Sequence, residues 1–330
     1  MVRCFRILDS MGNIIVAVLG APEYSANLGK KSTSSDITLY DLKKGEEIVT
    51  LVEPTKYPER LAPLFFAVSE ASMAIIVVDE LNASFGECVL MLQCSGVKSG
   101  YIILRNYLTR EKVEPIIKGT VLERFEFVLD DPALLREALL NKAAQKEVSA
   151  GSLSFGTVPV DHAFNVKGVG TVALGVVVNG IIQKHEDMRV LPGNMTAQIR
   201  SIQKHDDDFE SASRGDRVGL ALRNVEVEDV ERGVVLTSDP SIKSSTSIKA
   251  RVSLVNYWPS PLKSGMVLHL GHWMQFIICR VESVSDDGDW HQPILSLAME
   301  KELIHISGDQ AVLTYLEGGR LRVVGTVRMP

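Results

Sequence analysis

Cysteine is scarce in this chain, and its few cysteines are not arranged to bind metal. The four are Cys4, Cys88, Cys94 and Cys279, and no two of them form a CxxC pair. That spacing argues against a structural zinc site and against a disulfide framework. We therefore expect buried, reduced thiols of the kind found in cytosolic proteins, and a cytoplasmic location.

Long apolar runs and an excess of basic charge are also missing. The apolar stretch 14–19 is followed closely by Glu23 and Lys30, so it is far too short for a membrane span, and no leader pattern precedes it. The chain has 35 basic and 41 acidic side chains, a net charge of −6, and both halves share the small acidic excess. The sequence therefore predicts neither a membrane partner nor a DNA-binding protein with a basic stripe.

The first part of the chain has the pattern of an α/β domain. Its 330 residues allow two or three domains. Asp131 and Pro132 have the residue types of an N-cap and a first helical position. Strands alternating with helices predict a parallel sheet covered by helices. The predicted strands are 13–19, 47–52, 73–79, 101–104 and 125–129, and the predicted helices are 60–71, 86–94, 113–118 and 131–145.

The pattern changes after residue 145 to short strands separated by Gly, Pro, Asn and Asp turns. Segment 238–249 is rich in small polar residues, contains a proline, and forms a natural seam. We therefore predict an α/β domain over 1–146 and two small β-barrels over 147–239 and 240–330. The predicted fold class is α/β followed by all-β.

The amino-acid sequence of the middle segment is specific enough to indicate a family. Residues 164–180 read FNVKGVGTVALGVVVNG, and residues 211–236 read SASRGDRVGLALRNVEVEDVERGVVL. Both resemble the second domain of the translational GTPases, the family of elongation factor Tu and the selenocysteine-specific elongation factor. Residues 252–271 and 316–329 resemble that family's last barrel more weakly. The resemblance implies that the first domain is a P-loop-type G domain.

The family's first nucleotide element is G-x-x-x-x-G-K-[ST], whose backbone N–H groups cradle phosphates, while its lysine neutralises charge and its hydroxyl holds Mg²⁺. Here Gly20 closes the first strand, but Gly29 follows nine positions later where the motif has five. Lys30, Lys31 and Ser32 come next. Two interpretations stay open: a solvated basic turn, or a modified phosphate cradle made of these five residues.

The other family elements are also altered. In place of D-x-P-G-H the chain reads Glu53-Pro54-Thr55-Lys56, so no histidine is available to position the attacking water. Glu53 could still hold Mg²⁺ through a water molecule. In place of [NT]-K-x-D the chain reads 105–108, RNYL, which lacks the acid that binds the guanine edge, and S-A-[KL] is replaced by 128–130, VLD. These departures predict a degenerate G domain without a catalytic residue.

The resemblance and the departures together predict a translation elongation factor-like pseudo-GTPase, not an enzyme. It would bind tRNA, the ribosome or another translation factor, with no cofactor. The alternative is an active GTP-binding enzyme with a rebuilt site, which would use Lys30 or Lys31 for phosphates and Glu53 for Mg²⁺. A structural subunit that binds neither nucleotide nor RNA is a third possibility.

Two further groups of residues have side chains suited to binding. Arg320, Arg322 and Arg328 alternate near the C-terminal end, so they would share one face of a strand and are candidates for RNA backbone contacts. His269 and His272 could suggest a metal site, but their spacing in a strand places them on opposite faces. No metal site is therefore predicted.

Overall fold

A computed structural model describes residues 12–145, 155–317, 319 and 321–330. The first unit is a seven-stranded mixed sheet, in which the strands are ordered β2-β3-β4-β1-β5-β6-β7. Its strands are β1 Asn13–Leu19, β2 Lys30–Ser34, β3 Thr38–Lys44, β4 Glu47–Glu53, β5 Met73–Val78, β6 Gly100–Leu104 and β7 Glu126–Val128.

Helices cover this sheet. They are α1 Ala62–Ser69, α2 Ala83–Cys94, α3 Arg110–Ile117 and α4 Pro132–Ala144. The Asp131 side chain accepts hydrogen bonds from the backbone N–H groups of Ala133 and Leu134, so the predicted N-cap of α4 is confirmed. Because β1 is buried along its whole length and pairs in parallel with β4 and β5, it forms the centre of the sheet.

The hairpin of β2 and β3 is the main departure from the predicted elements. Segment 30–32, expected as a turn, lies in β2, which pairs antiparallel with β3 as the edge strand of the sheet. Every side chain of β2 is exposed or only half-buried, so neither face of this strand requires apolar residues. Its sequence, KKSTS, therefore lacks the alternation of apolar and polar residues that marks most strands. Periodicity therefore could not reveal this strand.

The second unit is a β-barrel. Six strands form a ring in the order β11-β16-β8-β9-β15-β12, and it is closed by the β11–β12 pairing, with β13 beside β12 and a separate β10–β14 pair. Its strands are β8 Thr157–Val166, β9 Gly170–Val176, β10 Ile181–Gln183, β11 Asp187–Leu191, β12 Met195–Lys204, β13 Asp207–Phe209, β14 Ser211–Ser213, β15 Arg217–Arg223 and β16 Val235–Thr237.

The third unit is a closed six-stranded barrel in the order β17-β20-β19-β18-β21-β22. Its strands are β17 Lys243–Leu254, β18 Val267–His272, β19 Gln275–Ser285, β20 Ile294–His305, β21 Gln310–Thr314 and β22 Val323–Arg328. The predicted fold class, a G-domain-like α/β unit followed by two barrels, is therefore confirmed.

The α/β unit and the third barrel share one apolar core. Phe65 and Phe66 of α1 contact Phe276 of β19, with ring centroids 5.8 and 6.2 Å apart. The three cysteines in the described part of the chain, Cys88, Cys94 and Cys279, are buried and unpaired. None of the described helices is long and apolar enough to cross a membrane.

Candidate functional site

The candidate site lies where β1, β4, β5 and β6 end. The carboxyl ends of parallel strands meet at one edge of a sheet, and ligands of open α/β folds bind there. The segments predicted to carry nucleotide elements follow β1, β4, β6 and β7, so the topology brings them to this edge.

The segment after β1 does not form a P-loop. Gly20 has φ of +92°, and a Cβ there would lie 2.0 Å from the carbonyl oxygen of Val77 on β5, so only glycine fits. A P-loop continues into an α-helix whose N-terminus faces the phosphates. Here the chain makes one 3₁₀ turn, Tyr24–Asn27, and enters β2.

The five residues expected to form a shifted phosphate cradle are only partly brought together: Gly20 and Lys31 line the same cavity, whereas the other three are placed differently. Gly29 backs onto β3, where a Cβ would lie 2.9 Å from the carbonyl oxygen of Asp41. Lys30 and Lys31 are successive residues of β2, so their side chains point to opposite faces of the sheet. The Ser32 hydroxyl donates to the Leu39 carbonyl at 3.3 Å.

Glu53, at the end of β4, fills the place beside the β1 loop. Its carboxylate accepts hydrogen bonds from the backbone N–H of Glu23 at 2.9 Å and of Ser25 at 2.5 Å. The side chain is buried, and burial raises the pKa of its carboxyl above the ordinary value in spite of these bonds. The amides that begin the 3₁₀ turn thus bind an internal carboxylate. The role of Glu53 in holding Mg²⁺ through a water molecule stays a prediction.

A second cluster of polar side chains lies at the sheet edge, where β6 and β7 end. The Tyr24 hydroxyl donates to Asp130 at 2.8 Å, Arg105 donates to the other oxygen of Asp130 at 2.6 Å, and the Arg105 guanidinium lies 5.0 Å from the centre of the Tyr24 ring. Burial alone would raise the pKa of Asp130, but the hydrogen bonds from Arg105 and Tyr24 outweigh it and leave that pKa below the ordinary value. Arg105 and Asp130 follow the strands that precede the base-recognition elements in the family. Sequence reasoning missed the role of Tyr24.

The third barrel holds the segment that follows β4. Arg322 donates to both carboxylate oxygens of the buried Glu87, at 2.9 and 2.5 Å, and to the carbonyl of Pro58 at 3.2 Å. Its guanidinium lies 5.9 Å from the centre of the Tyr57 ring. The Tyr57 hydroxyl donates to the Ser84 carbonyl at 2.9 Å. This segment is therefore anchored to α2 and to the barrel.

Arg322 and Arg328, two of the three arginines predicted to contact RNA, do not share one exposed face. Arg322 precedes β22 and is used in the contact with Glu87, whereas Arg328 is exposed on β22. Arg320 lies outside the described residues. The alternation could not show that the first domain packs against Arg322, because that contact is between residues far apart in the chain.

Polar contacts also join the middle barrel to the first unit. Arg232 donates to Asp36 at 2.6 Å, and its guanidinium lies 4.9 Å from the centre of the Phe66 ring. Behind this contact Asp161 and Arg217 form a buried ion pair of 2.5 Å. Burial favours protonation of Asp161, but the Arg217 charge outweighs it and holds the pKa of the carboxyl well below its usual range.

A cavity of about 400 Å³ remains at the sheet edge, between the segments that follow β1, β4 and β5. Within the described residues no group of three or more histidine, cysteine or carboxylate side chains is placed to hold a metal ion. The lining residues are Val18, Gly20–Glu23, Lys31, Thr38, Tyr40, Glu53–Thr55, Tyr57, Pro58, Ile76, Val77, Asp79, Glu80, Asn82, Ser84, Phe85 and Cys88.

Comparison with known proteins agrees with this fold. The model of the family "Elongation factor Tu domain 2" matches residues 170–237. An uncharacterized protein of Methanocaldococcus jannaschii, MJ0325, is 32% identical over 97% of this chain and 100% of its own length. The selenocysteine-specific elongation factor of the same organism is 27% identical over 67% of this chain, which spans about half (51%) of that relative.

Solved structures show the same three-unit arrangement. Translation elongation factor SelB from Methanococcus maripaludis, in complex with the GTP analogue GppNHp, superposes with a TM-score of 0.81 at 22% identity, covering 96% of this chain and 79% of that one. At this identity the superposition shows the fold. The family assignment follows from the domain 2 match over residues 170–237 and from the selenocysteine-specific elongation factor relative: this chain belongs to the translational GTPase family, the family of elongation factor Tu and the selenocysteine-specific elongation factors.

Proposed function

We propose that this protein is a translation elongation factor-like pseudo-GTPase, which binds tRNA, the ribosome or another translation factor without hydrolysing GTP. The observation that carries the proposal is the Glu53 carboxylate on the amides of Glu23 and Ser25. In a P-loop such amides bind phosphate. Here a phosphate would have to displace a side chain of the same charge sign.

The charges around the cavity favour the same proposal. Its carboxylates are those of Glu23, Glu53, Asp79 and Glu80, against the single amine of Lys31. A nucleoside triphosphate adds negative charge to a half-enclosed space, where repulsion is stronger than in bulk water. Binding of GTP with Mg²⁺ would therefore need a rearrangement of this edge.

The part of the site that would recognise the guanine base also supports the pseudo-GTPase proposal. The hydroxyl of Tyr24 is used by Asp130, and Asp130 is also paired with Arg105. Leu108 stands where the family has the acid that recognises guanine. Without a charge-assisted acceptor for the guanine edge, base affinity falls by about a hundredfold.

A nucleotide titration tests the proposal. We expect no saturable heat when GTP, GDP or ATP is added to the protein with or without Mg²⁺, and no phosphate release. The variant Glu53→Ala should gain measurable binding of inorganic phosphate, because it frees two amides. Micromolar, Mg²⁺-dependent GTP binding by the natural protein would disprove the proposal.

The alternative, an active GTP-binding factor, has one observation in its favour, which is that the Lys31 side chain lines the cavity. In that case Lys31→Ala should abolish nucleotide binding. Lys44→Ala, which removes the same charge from an exposed end of β3, serves as the matched control and should leave it unchanged.

For the RNA partner we propose the outer face of the third barrel. Arg328 of β22 is exposed, and so are Lys249 and Arg251 of the neighbouring β17. Val252 pairs with Val327, which places Arg251 and Arg328 at adjacent register positions. Cations on one sheet face attract phosphate backbones. With tRNA as probe, Arg251→Ala/Arg328→Ala should weaken binding and reduce its salt dependence, whereas Arg136→Ala on α4 should do neither.

We also propose a cytoplasmic location, for which the buried free thiols give indirect support. Fractionation of source cells with an antibody against the protein tests it. Recovery in the membrane or external fraction would contradict it.

A further inference from the structure

The cavity at the sheet edge contains a polar group with no partner. Tyr40 of β3 is only 4% exposed, and its hydroxyl has no hydrogen-bond partner within the described residues. The side chain lines the cavity, close enough to Glu53 and Glu23 for their negative charges to raise its pKa further, after burial. The hydroxyl of this largely buried side chain faces the cavity with no partner among the described residues, so it is available to a ligand that enters.

The cavity also has the shape and size of a small-molecule site. Its volume of about 400 Å³ lies within the range of ligand pockets in proteins. Aromatic side chains form part of its wall, from Tyr40 on β3, Tyr57 after β4 and Phe85 on α2. Aromatic faces attract cations.

The charge in the cavity is predominantly negative. Asp79 lies at the end of β5, and its carboxylate accepts no hydrogen bond from the described part of the chain. Glu23, Glu53 and Glu80 add three carboxyl groups, and Lys31 is the one cation among the described lining residues. An anion would be repelled, whereas an amine would meet acceptors at several points.

We infer that this cavity binds a small organic cation that carries amino groups, in the place where other members of the family hold a nucleotide. Asp79 would accept from one ammonium group, the free Tyr40 hydroxyl would contact a second polar end, and the aromatic wall would contact the aliphatic part. The inference rests on the proposed function, because it requires a site that no longer takes GTP.

Calorimetric titration of the full chain with putrescine and spermidine tests the inference, in about 150 mM NaCl so that non-specific attraction is screened. The uncharged isostere 1,4-butanediol is the ligand control. We expect saturable one-to-one binding of an amine with Kd below about 1 mM, and no binding of the diol.

Two variants locate the site. Asp79→Asn should weaken amine binding about tenfold, since it removes the charge from one hydrogen bond. Tyr40→Phe should weaken it about fivefold. Glu228→Gln, which neutralises a carboxylate in the middle barrel far from the cavity, should leave it unchanged. Unfolding midpoints are recorded for each variant, so that loss of fold is recognised.

The outcomes separate this inference from the proposed function. No saturable amine binding, or binding that Asp79→Asn and Tyr40→Phe leave intact, would overturn the inference while the pseudo-GTPase proposal stands if GTP also fails to bind. Competition between GTP and the amine would overturn both proposals, because the cavity would then accept nucleotide.

Discussion

Gly20 sets the direction of the chain as it leaves β1. Its left-handed backbone turns the chain after β1, and its missing side chain leaves room for the Val77 carbonyl. Gly45, in the β3–β4 turn, also has positive φ, at +63°, but a Cβ there would meet only the flexible Glu47 side chain at 3.4 Å. Both positions therefore require a left-handed backbone, but only Gly20 also lacks the space for a side chain.

Replacing these glycines separates the two effects. Gly45→Ala should lower the free energy of unfolding by about 1 kcal/mol, the cost of a left-handed alanine. Gly20→Ala should lower it by about 2–4 kcal/mol, because the clash with β5 adds to that cost. Urea unfolding of both variants measures the difference. Equal losses would show that the β1–β5 contact is not as close as described.

Glu53 shows why the roles of individual residues could be predicted only in part. Glu53 is a candidate site residue because Pro54 can take the place of the proline in the family's D-x-P-G-H element. Its partners, the amides of Glu23 and Ser25, lie about thirty positions away and depend on how the β1 loop folds back. No periodicity encodes such a contact.

At the scale of elements, the prediction succeeded where the pattern was strong. Helix α4, with its aspartate cap, and the two barrels, with their glycine-punctuated strands, were predicted from the sequence. The prediction failed for β2, which is a polar edge strand, and for Arg322, which looked like part of a regular strand. In both cases tertiary neighbours rather than local pattern decide the structure.

The contact between Arg322 and Glu87 holds the segment after β4, and its loss should release that segment. Arg322→Ala leaves the buried Glu87 carboxylate without its cation and should lower the free energy of unfolding by about 3 kcal/mol. Hydrogen exchange of the backbone amides of residues 55–57 should become faster. Arg328→Ala removes the same side chain from an exposed position and should change neither quantity. Unaltered exchange in Arg322→Ala would show that the barrel does not anchor this segment.

At the scale of the whole molecule, the three units meet around a buried carboxyl. Glu70, just after α1, lines a small cavity with Asp161 and Arg217 of the middle barrel, and its Oε1 has no hydrogen-bond partner within the described residues. Burial, and then the negative charge of Asp161, raises the pKa of Glu70 well above its usual value, although Arg217 opposes this. The native protein therefore binds the Glu70 proton more tightly than the unfolded chain does.

The raised pKa of Glu70 determines how the contribution of this residue to the stability of the protein changes with pH. Because the native state binds more protons, the contribution of Glu70 to stability falls as the pH rises above its ordinary pKa of 4.5. Glu70→Gln, which cannot ionise, should unfold at a higher urea concentration than the natural protein at pH 8 and should differ little at pH 4. Asp161 changes stability in the opposite direction, since its lowered pKa stabilises the native state above the ordinary value.

Asp161→Asn is the paired control for that measurement. It should be less stable than the natural protein at pH 8, because it leaves Arg217 buried without its counter-charge, and the difference should shrink as the pH falls. The same pH dependence in all three proteins would contradict the described junction between the units.

The most direct test of the pseudo-GTPase proposal is to follow the backbone amide resonances of Glu23 and Ser25 by NMR while GTP and Mg²⁺ are added. Glu53→Gln should shift both resonances, which assigns them to the carboxylate contact. In the natural protein we expect them to stay in place up to millimolar nucleotide. A saturable shift at micromolar GTP would show that phosphate replaces Glu53 and that the site still works as a nucleotide switch.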